Sequence, residues 1–161
     1  EDHYSLEDKD FEIVDSVDPP ENDIAEVVNT GNKTINEAME QEVSTTTRNY
    51  FVEYRLSRDK LRANLVDRLD SIVKNDNTND KMRTEAQEEI INIGKISEIE
   101  LQIEGLIKSK GFEEALVFLT SDDIKVIVSA NELSEQDMVK ILDIVKSETD
   151  YDINNIKIMK R

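Results

Sequence analysis

Apolar residues recur at three- and four-residue steps from Thr46 onward, which is the spacing of one face of an α-helix. No glycine or proline interrupts residues 46–74, and the polar run "NDNTND" (75–80) then supplies turn and capping residues. The pattern therefore predicts a long helix followed by a tight turn. The apolar series is Tyr50, Phe51, Tyr54, Leu61, Leu65, Leu69, Ile72 and Val73.

A second apolar stripe with nearly heptad spacing predicts a helix from Lys81 to Ser109. Gly111 stands where a helix C-terminal cap belongs, and Lys108 suits the negative end of the helix dipole. Because only six residues join the two helices, we expect them to lie antiparallel as a helical hairpin.

The spacing of the apolar residues changes after this hairpin. The segments "EALVFLT" (114–120) and "IKVIVSA" (124–130) flank the short turn "SDD" and predict a β-hairpin. "SEQD" (134–137) has the form of a capping box and begins a helix that ends near Thr149. "NIKIMKR" (155–161) alternates as a third strand.

These elements predict an α+β fold, in which an N-terminal helical hairpin leads into an α-β-β-α-β module with a three-stranded sheet. The helical crossover makes the third strand parallel to the second. The first strand is apolar on both faces, whereas the other two carry Lys125, Lys157 and Lys160 as edge strands do. We therefore expect the first strand at the centre of the sheet, with the helices on one face.

Charge divides the chain into two regions. Residues 1–47 hold fourteen acidic and two basic residues, a net charge of −12, and both prolines of the chain. Because this region lacks a helical or strand period, residues 1–45 are predicted to be a disordered acidic linker. The linker serves either as a spacer or only for solubility. Residues 46–96 form the predicted hairpin and residues 97–161 the α+β module.

The sequence lacks the residue combinations of the common enzymes. It contains no cysteine, and the one histidine, His3, lies in the predicted linker. The four glycines do not form a phosphate-binding loop, and the serines have no histidine partner within the predicted fold. The acidic turn at 121–123 lacks the distal glutamate of an EF-hand loop. We therefore predict a non-enzymatic protein with no catalytic residue, cofactor or metal site.

One stretch, "YFVEYRLSRDKLR" (50–62), is basic in an otherwise acidic chain. Arg55, Arg58 and Arg62 share one helical face. Nucleic acid is a poor partner because the net charge of −17 repels phosphate, and no KH-type GXXG loop is present. Arginine and tyrosine are enriched at protein interfaces, so this face predicts a protein contact.

Three segments carry a resemblance to a known family. "YFVEYRLSRDKLR", "IEGLIKSKGFEEALVFL" and "KVIVSANELSEQDMVKILDIVKSETDYDINNIKI" are similar to the stage III sporulation protein AH family of endospore-forming bacteria, across about residues 48–158. The C-terminal module also resembles the ring-building motif of type III secretion basal-body and flagellar ring proteins.

The resemblance implies a role in sporulation and engulfment. A membrane anchor is expected upstream of residue 1, in the mother-cell (outer forespore) membrane, with the ectodomain in the intermembrane space. There it is expected to bind the ectodomain of stage II sporulation protein Q, forming a channel, and to self-associate into a ring. As a flexible spacer, the linker would span roughly 35–40 Å.

The sequence leaves two kinds of contact surface as alternatives. An edge strand, either the second or the third, extends a sheet of the partner, or a helix of one protomer packs on the sheet of the next and closes a ring. The expected contact residues are Arg55, Arg58, Arg62, Thr120, Asp122, Ile124, Val126, Val128 and Lys157. The alternative function is a coiled-coil-hairpin scaffold with a small ligand-sensing α+β module.

Overall fold

The computed structural model describes the backbone of residues 32–161 and the side chains of residues 45–161. Three α-helices, a short 3₁₀ turn and one three-stranded sheet make up this part of the chain. The architecture confirms the predicted α+β class. The elements are α1 (Asn32–Lys74), α2 (Asp80–Ser109), β1 (Ala115–Leu119), β2 (Ile124–Val128), α3 (Glu135–Glu148), the 3₁₀ turn (Ile153–Asn155) and β3 (Ile156–Lys160).

Helix α1 begins at Asn32, well before the predicted start at residue 46. It therefore includes the last part of the segment predicted as linker, whereas residues 1–31 lie outside the described residues. Helix α2 runs without a break across residue 97, where the predicted hairpin meets the predicted module. The division into linker, hairpin and module stays a prediction.

The turn between α1 and α2 is closed by local hydrogen bonds. The Asn79 side chain accepts a hydrogen bond from the backbone N–H of Met82 at 2.8 Å and so caps α2. Arg83 reaches back from α2 and donates to the Val73 carbonyl at 3.0 Å. At the other end of α2, Gly111 has a φ of 105°, which favours glycine at a helix C-terminus, as predicted.

The strand order is β1-β2-β3, with β2 antiparallel to β1 and parallel to β3. The predicted strand directions are confirmed, but the predicted order is wrong, because β2 and not β1 is the central strand. Strand β1 is apolar on both faces because helices cover both faces of the sheet. The expectation that helices cover one face alone is therefore also wrong.

Two apolar clusters show how the sheet is covered. On one face, α2 and α3 pack against the sheet, and the buried residues there are Ile103, Ile107, Ala115, Val117, Leu119, Ile124, Val126, Val128, Ile141, Ile144 and Val145. On the other face, Phe51 of α1 is fully buried against Leu116 and Ile127. Helix α1 is thus part of the folded domain and not only one arm of a separate hairpin.

The predicted capping box of α3 is present. The Ser134 hydroxyl accepts a hydrogen bond from the Asp137 backbone N–H at 3.1 Å, and the Ser134 backbone N–H donates to the Asp137 carboxylate at 3.2 Å. The hydrogen bond from the Ser134 backbone, together with the effect of the Ser134 side chain, lowers the pKa of the Asp137 carboxyl below its ordinary value.

We expect Ser134→Ala to lower the free energy of unfolding by about 1 kcal/mol, since the first turn of α3 loses its cap. Urea unfolding followed by circular dichroism measures this change. Ser147→Ala, near the C-terminal end of the same helix, is the control, because Ser147 donates only to the Ile144 carbonyl of its own helix. Equal stability of the native chain and the Ser134 variant would contradict the role of the cap.

Candidate protein-interaction site

The arginine face of α1 is directed at its own chain. Arg58 is only 8% exposed, and it meets two glutamates of α2, Glu100 and Glu104, which are 0% and 3% exposed. Arg55 and Arg62 flank it and bind the same glutamates. We call these five residues, Arg55, Arg58, Arg62, Glu100 and Glu104, the Arg–Glu network.

Within the network, every buried charge has an opposite charge beside it. Arg58 Nη1 lies 2.5 Å from Glu104 Oε1 and 3.4 Å from Glu100 Oε2. Arg62 binds both carboxylate oxygens of Glu100, with 2.6 Å between Nη2 and Oε1. Burial by itself would lower the pKa of Arg58, but the hydrogen bond to Glu104 and the charges of Glu104 and Glu100 outweigh burial and raise it.

The network also closes the outer edge of β1. The outward backbone groups of this strand belong to Ala115, Val117 and Leu119, because the intervening residues face β2. The carbonyls of Ala115 and Val117 accept hydrogen bonds from Arg55 at 2.8 Å and from Arg58 at 2.7 Å. The N–H groups of Val117 and Leu119 donate to Glu104 at 3.0 Å and to Glu100 at 2.8 Å. Side-chain donors and acceptors therefore alternate along this β1 edge as the backbone groups of a neighbouring strand would.

The prediction that Arg55, Arg58 and Arg62 form a contact face for a partner needs correction. Their guanidinium groups bind the α2 glutamates, Arg55 and Arg58 also bind the β1 edge, and Arg58 is nearly inaccessible. The sequence held a signal for this arrangement, because Glu100 and Glu104 stand four residues apart on the inward side of α2.

The expected contact residues of β2 also lie inside the fold. Ile124, Val126 and Val128 are fully buried in the core under α2 and α3. Since β2 is paired with β1 on one side and with β3 on the other, it offers no free edge to a partner strand. The prediction that β2 is an edge strand is therefore wrong, and strand addition at β2 is excluded in this fold.

The remaining three expected contact residues are exposed and lie at one corner of the sheet. Thr120 and Asp122 belong to the β1–β2 turn, which the Thr120 hydroxyl stabilises by donating to the Asp123 carboxylate at 2.6 Å. Lys157 of β3 lies 4.0 Å from the same carboxylate. Thr120, Asp122 and Lys157 therefore border the start of β3.

Tyr151 fastens this corner to the segment before β3. Its hydroxyl donates a hydrogen bond to the Thr120 carbonyl. Burial and the nearby charges of Asp123, Asp122 and Glu100 raise the pKa of the Tyr151 hydroxyl above its ordinary value. The phenol therefore remains a neutral hydrogen-bond donor at neutral pH.

In the described part of the chain, the outer edge of β3 is unpaired. Arg161 donates to the Val128 carbonyl at 2.9 Å and accepts from the Ala130 N–H at 3.2 Å, so its backbone faces β2. Because backbone groups alternate along a strand, those of Ile156, Ile158 and Lys160 point away from β2. Within residues 32–161 no further strand pairs with this β3 edge. The two edges of the sheet thus differ, one closed by side chains and the other available.

The C-terminal end of β3 is held against α1. The Arg161 guanidinium carbon lies 4.7 Å from the centre of the Tyr50 ring, a cation–π contact. Burial and the neighbouring Tyr54 raise the pKa of the Tyr50 hydroxyl, although Arg161 acts in the opposite direction. Helix α1 therefore contacts both outer strands of the sheet, β1 along its edge and β3 at its C-terminal end.

A three-stranded sheet covered by helices on both faces, with one edge closed by side chains, defines an α+β module. The chain belongs to the SpoIIIAH-like protein family, whose sequence profile matches residues 2–158. The family resemblance seen in the sequence is thereby confirmed.

A relative and a solved structure are similar to this chain. Stage III sporulation protein AH of Bacillus subtilis (strain 168) is 32% identical over 98 residues, which are 61% of this chain and 45% of that protein. The chain thus spans less than half the length of this relative. A chain in the solved "Structure of the SpoIIQ-SpoIIIAH pore forming complex" matches with a TM-score of 0.60 and 27% identity, covering 70% of this chain and 98% of the other.

The described residues contain no helix that is both long enough and apolar enough to span a bilayer.

Proposed function

We propose that this protein is a non-enzymatic docking domain of a sporulation channel and that its partner is the ectodomain of stage II sporulation protein Q (SpoIIQ). The observation that carries this proposal is the similarity to a chain solved within a SpoIIQ–SpoIIIAH pore-forming complex. Membership in the SpoIIIAH-like family supports the same role. The domain would act in the space between the mother-cell and forespore membranes, held by an anchor in the mother-cell membrane.

The β3 edge is the surface that we assign to the partner. Among residues 32–161, neither a further strand nor the Arg–Glu network covers this edge of the sheet. An added strand forms backbone hydrogen bonds with such an edge and takes its specificity from side chains at the border. Thr120, Asp122 and Lys157 border the start of β3 and are exposed, so they are the expected specificity contacts.

The test of the function itself is a mixture of this chain with the SpoIIQ ectodomain, analysed by sedimentation and native mass spectrometry. We expect a 1:1 complex at micromolar concentration. If the two proteins sediment separately in that range, the docking function is wrong.

The test of the surface is Ile158→Pro. The Ile158 N–H points away from β2, so proline removes no hydrogen bond of the sheet, but it blocks a strand added at the β3 edge. We expect affinity for the SpoIIQ ectodomain to fall by at least about tenfold, measured by isothermal titration calorimetry. Ile158→Val keeps the N–H and is the matched control. If the proline variant is folded and binds as tightly as the control, the partner uses another surface.

Assembly into a ring is the finer part of the proposal. A ring needs a heterologous contact between protomers, in which two different surfaces meet. The exposed outer side of α3, with Val139 54% exposed, is one surface available for packing on the next protomer. Mass measurement of the complex over a concentration series distinguishes a closed ring from a 1:1 pair.

The ligand-sensing alternative gains no support from the site. A depression beside α3, lined by Glu135, Gln136, Val139 and Lys140, is wide open to solvent and is not an enclosed ligand cavity.

A further inference from the structure

The β1 edge is closed in an unusual way, because its partner is a row of side chains and not a strand. Four outward backbone groups of β1 are satisfied, two by arginines of α1 and two by glutamates of α2. Natural edge strands that are left open invite pairing with another chain. The arginines that donate to the β1 carbonyls belong to α1, so this half of the cover over the β1 edge is lost if α1 moves away from the sheet.

The cover and an added strand exclude each other. A neighbouring strand would lie about 4.8 Å from β1. The Arg and Glu atoms already occupy that space at 2.7–3.0 Å from the β1 backbone. The β1 edge can therefore accept a strand only after α1 has undocked and Glu100 and Glu104 of α2 have moved off the Val117 and Leu119 amides.

The β3 edge of a second copy fits the uncovered β1 edge. β1 runs antiparallel to β2 and β3 runs parallel to it, so a continuous sheet places β3 of one copy antiparallel to β1 of the next. Both strands have five residues. If Val117 is paired with Ile158, their outward backbone groups face each other as in a hydrogen-bonded antiparallel pair.

Charge agrees with the same register. Antiparallel pairing that sets Val117 opposite Ile158 also sets Glu114 opposite Arg161. In the closed form Glu114 lies 3.5 Å from Arg55 of α1 and 3.5 Å from Lys108 of α2, and undocking of α1 removes the first of these two cations. Opposite charges placed across two strands stabilise the pair, whereas like charges would disfavour it.

We propose that α1 is a removable cover over a second strand-addition edge, and that the β3 edge of another copy of this chain occupies the β1 edge when α1 undocks. The contact joins two different surfaces, so it repeats from copy to copy and extends the sheet. It uses the same β3 edge as the proposed SpoIIQ contact, so a β3 edge engaged by another copy is closed to SpoIIQ. With α1 docked, strand addition is restricted to β3. With α1 undocked, the β1 carbonyls are open, and Glu100 and Glu104, which still bind the β1 amides, have lost their arginine partners.

Hydrogen exchange of the native chain tests whether the cover moves. In a urea series followed by NMR, the Val117 and Leu119 amides should exchange together with the α1 amides, at least about tenfold faster than the Val126 amide of the central strand. If all these amides exchange only by global unfolding of the chain, the proposal is wrong. Retention of the Val117 and Leu119 protons after the α1 amides have exchanged also overturns it.

A double variant tests what occupies the uncovered edge. Arg58→Met/Glu104→Met keeps the side-chain volume and the net charge but removes the groups that bind the Val117 backbone. We expect the self-association constant from sedimentation equilibrium to rise at least about tenfold over the native chain. Adding Ile158→Pro should return it to the native value, because proline blocks the β3 edge.

The matched control is Arg48→Met/Glu113→Met, which makes the same exchange at an ion pair that is 60% and 67% exposed. The control should self-associate as the native chain does. A folded Arg58/Glu104 variant that does not associate more strongly than the control overturns the proposal, as does association that persists with Ile158→Pro. If the double variant does not fold, the exchange experiment on the native chain decides.

Discussion

Glu104→Ala is expected to lower the free energy of unfolding by about 3–5 kcal/mol, the range for breaking a buried ion pair by removing one partner. Glu104 is 3% exposed, and its carboxylate neutralises Arg58, which is 8% exposed. The same carboxylate accepts the Val117 N–H. The substitution therefore removes the closest carboxylate partner of a buried cation and leaves the buried Val117 N–H without its acceptor.

Urea unfolding followed by circular dichroism measures this loss. Glu113→Ala is the control, because Glu113 and its partner Arg48 are both more than half exposed and such pairs contribute about 0–1 kcal/mol. Similar midpoints for the two variants would show that the buried network does not hold α1 on the sheet.

Phe51→Ala has an expected cost of the same size, about 3–5 kcal/mol, because it empties a fully buried aromatic site. Phe51 is 0% exposed and packs on Leu116 and Ile127, on the sheet face that α2 and α3 do not cover. Its ring also meets the Tyr50 ring edge-on, with 5.4 Å between the ring centres. Losing these contacts weakens the attachment of α1 to the sheet.

Urea unfolding again gives the free energy, and tyrosine fluorescence reports the local change, since the chain has no tryptophan. Val52→Ala is the control on the next residue, whose side chain is 43% exposed. A Phe51 variant as stable as the Val52 variant would mean that α1 packs on the sheet without this contact.

The helical elements after residue 74 could be predicted closely because their signals are local. The ends of α2 and α3 are set by Asn79, Gly111 and Ser134, and each acts on residues within one turn. The start of α1 was predicted too late: Ile35, Met39 and Val43 stand four residues apart, as on one helical face, but the acidic composition of the segment outweighed this short signal.

The strand order could not be predicted because the apolar pattern has two possible causes. Leu116 and Phe118 alternate with Ala115, Val117 and Leu119, which makes β1 apolar on both faces. A central strand of a covered sheet has this pattern, and so has an edge strand covered by an additional helix. Phe51 of α1 provides that cover, and nothing in the sequence of β1 indicates it.

The arginine face was located from the sequence, but its partner on α2 was missed. Spacing places Arg55, Arg58 and Arg62 on one side of α1, and it does not say whether another chain or α2 lies opposite. Glu100 and Glu104 were the missing information, because acidic residues on an inward helical side are rarely buried unless they are paired. The buried β2 residues were predicted to contact a partner because β2 was wrongly placed at the edge of the sheet.

The Arg–Glu network also has a mechanical meaning. In the proposed role, the chain is pulled from the N-terminal end of α1 and is held by a partner at the β3 edge. The tension then passes from α1 through Arg55 and Arg58 into β1, and across β2 to β3, at right angles to the strands. Because the chain also runs covalently from α1 through α2 into β1, rupture of the ion pairs lengthens the junction without breaking it, and the partner contact at the β3 edge sets the force that the junction withstands.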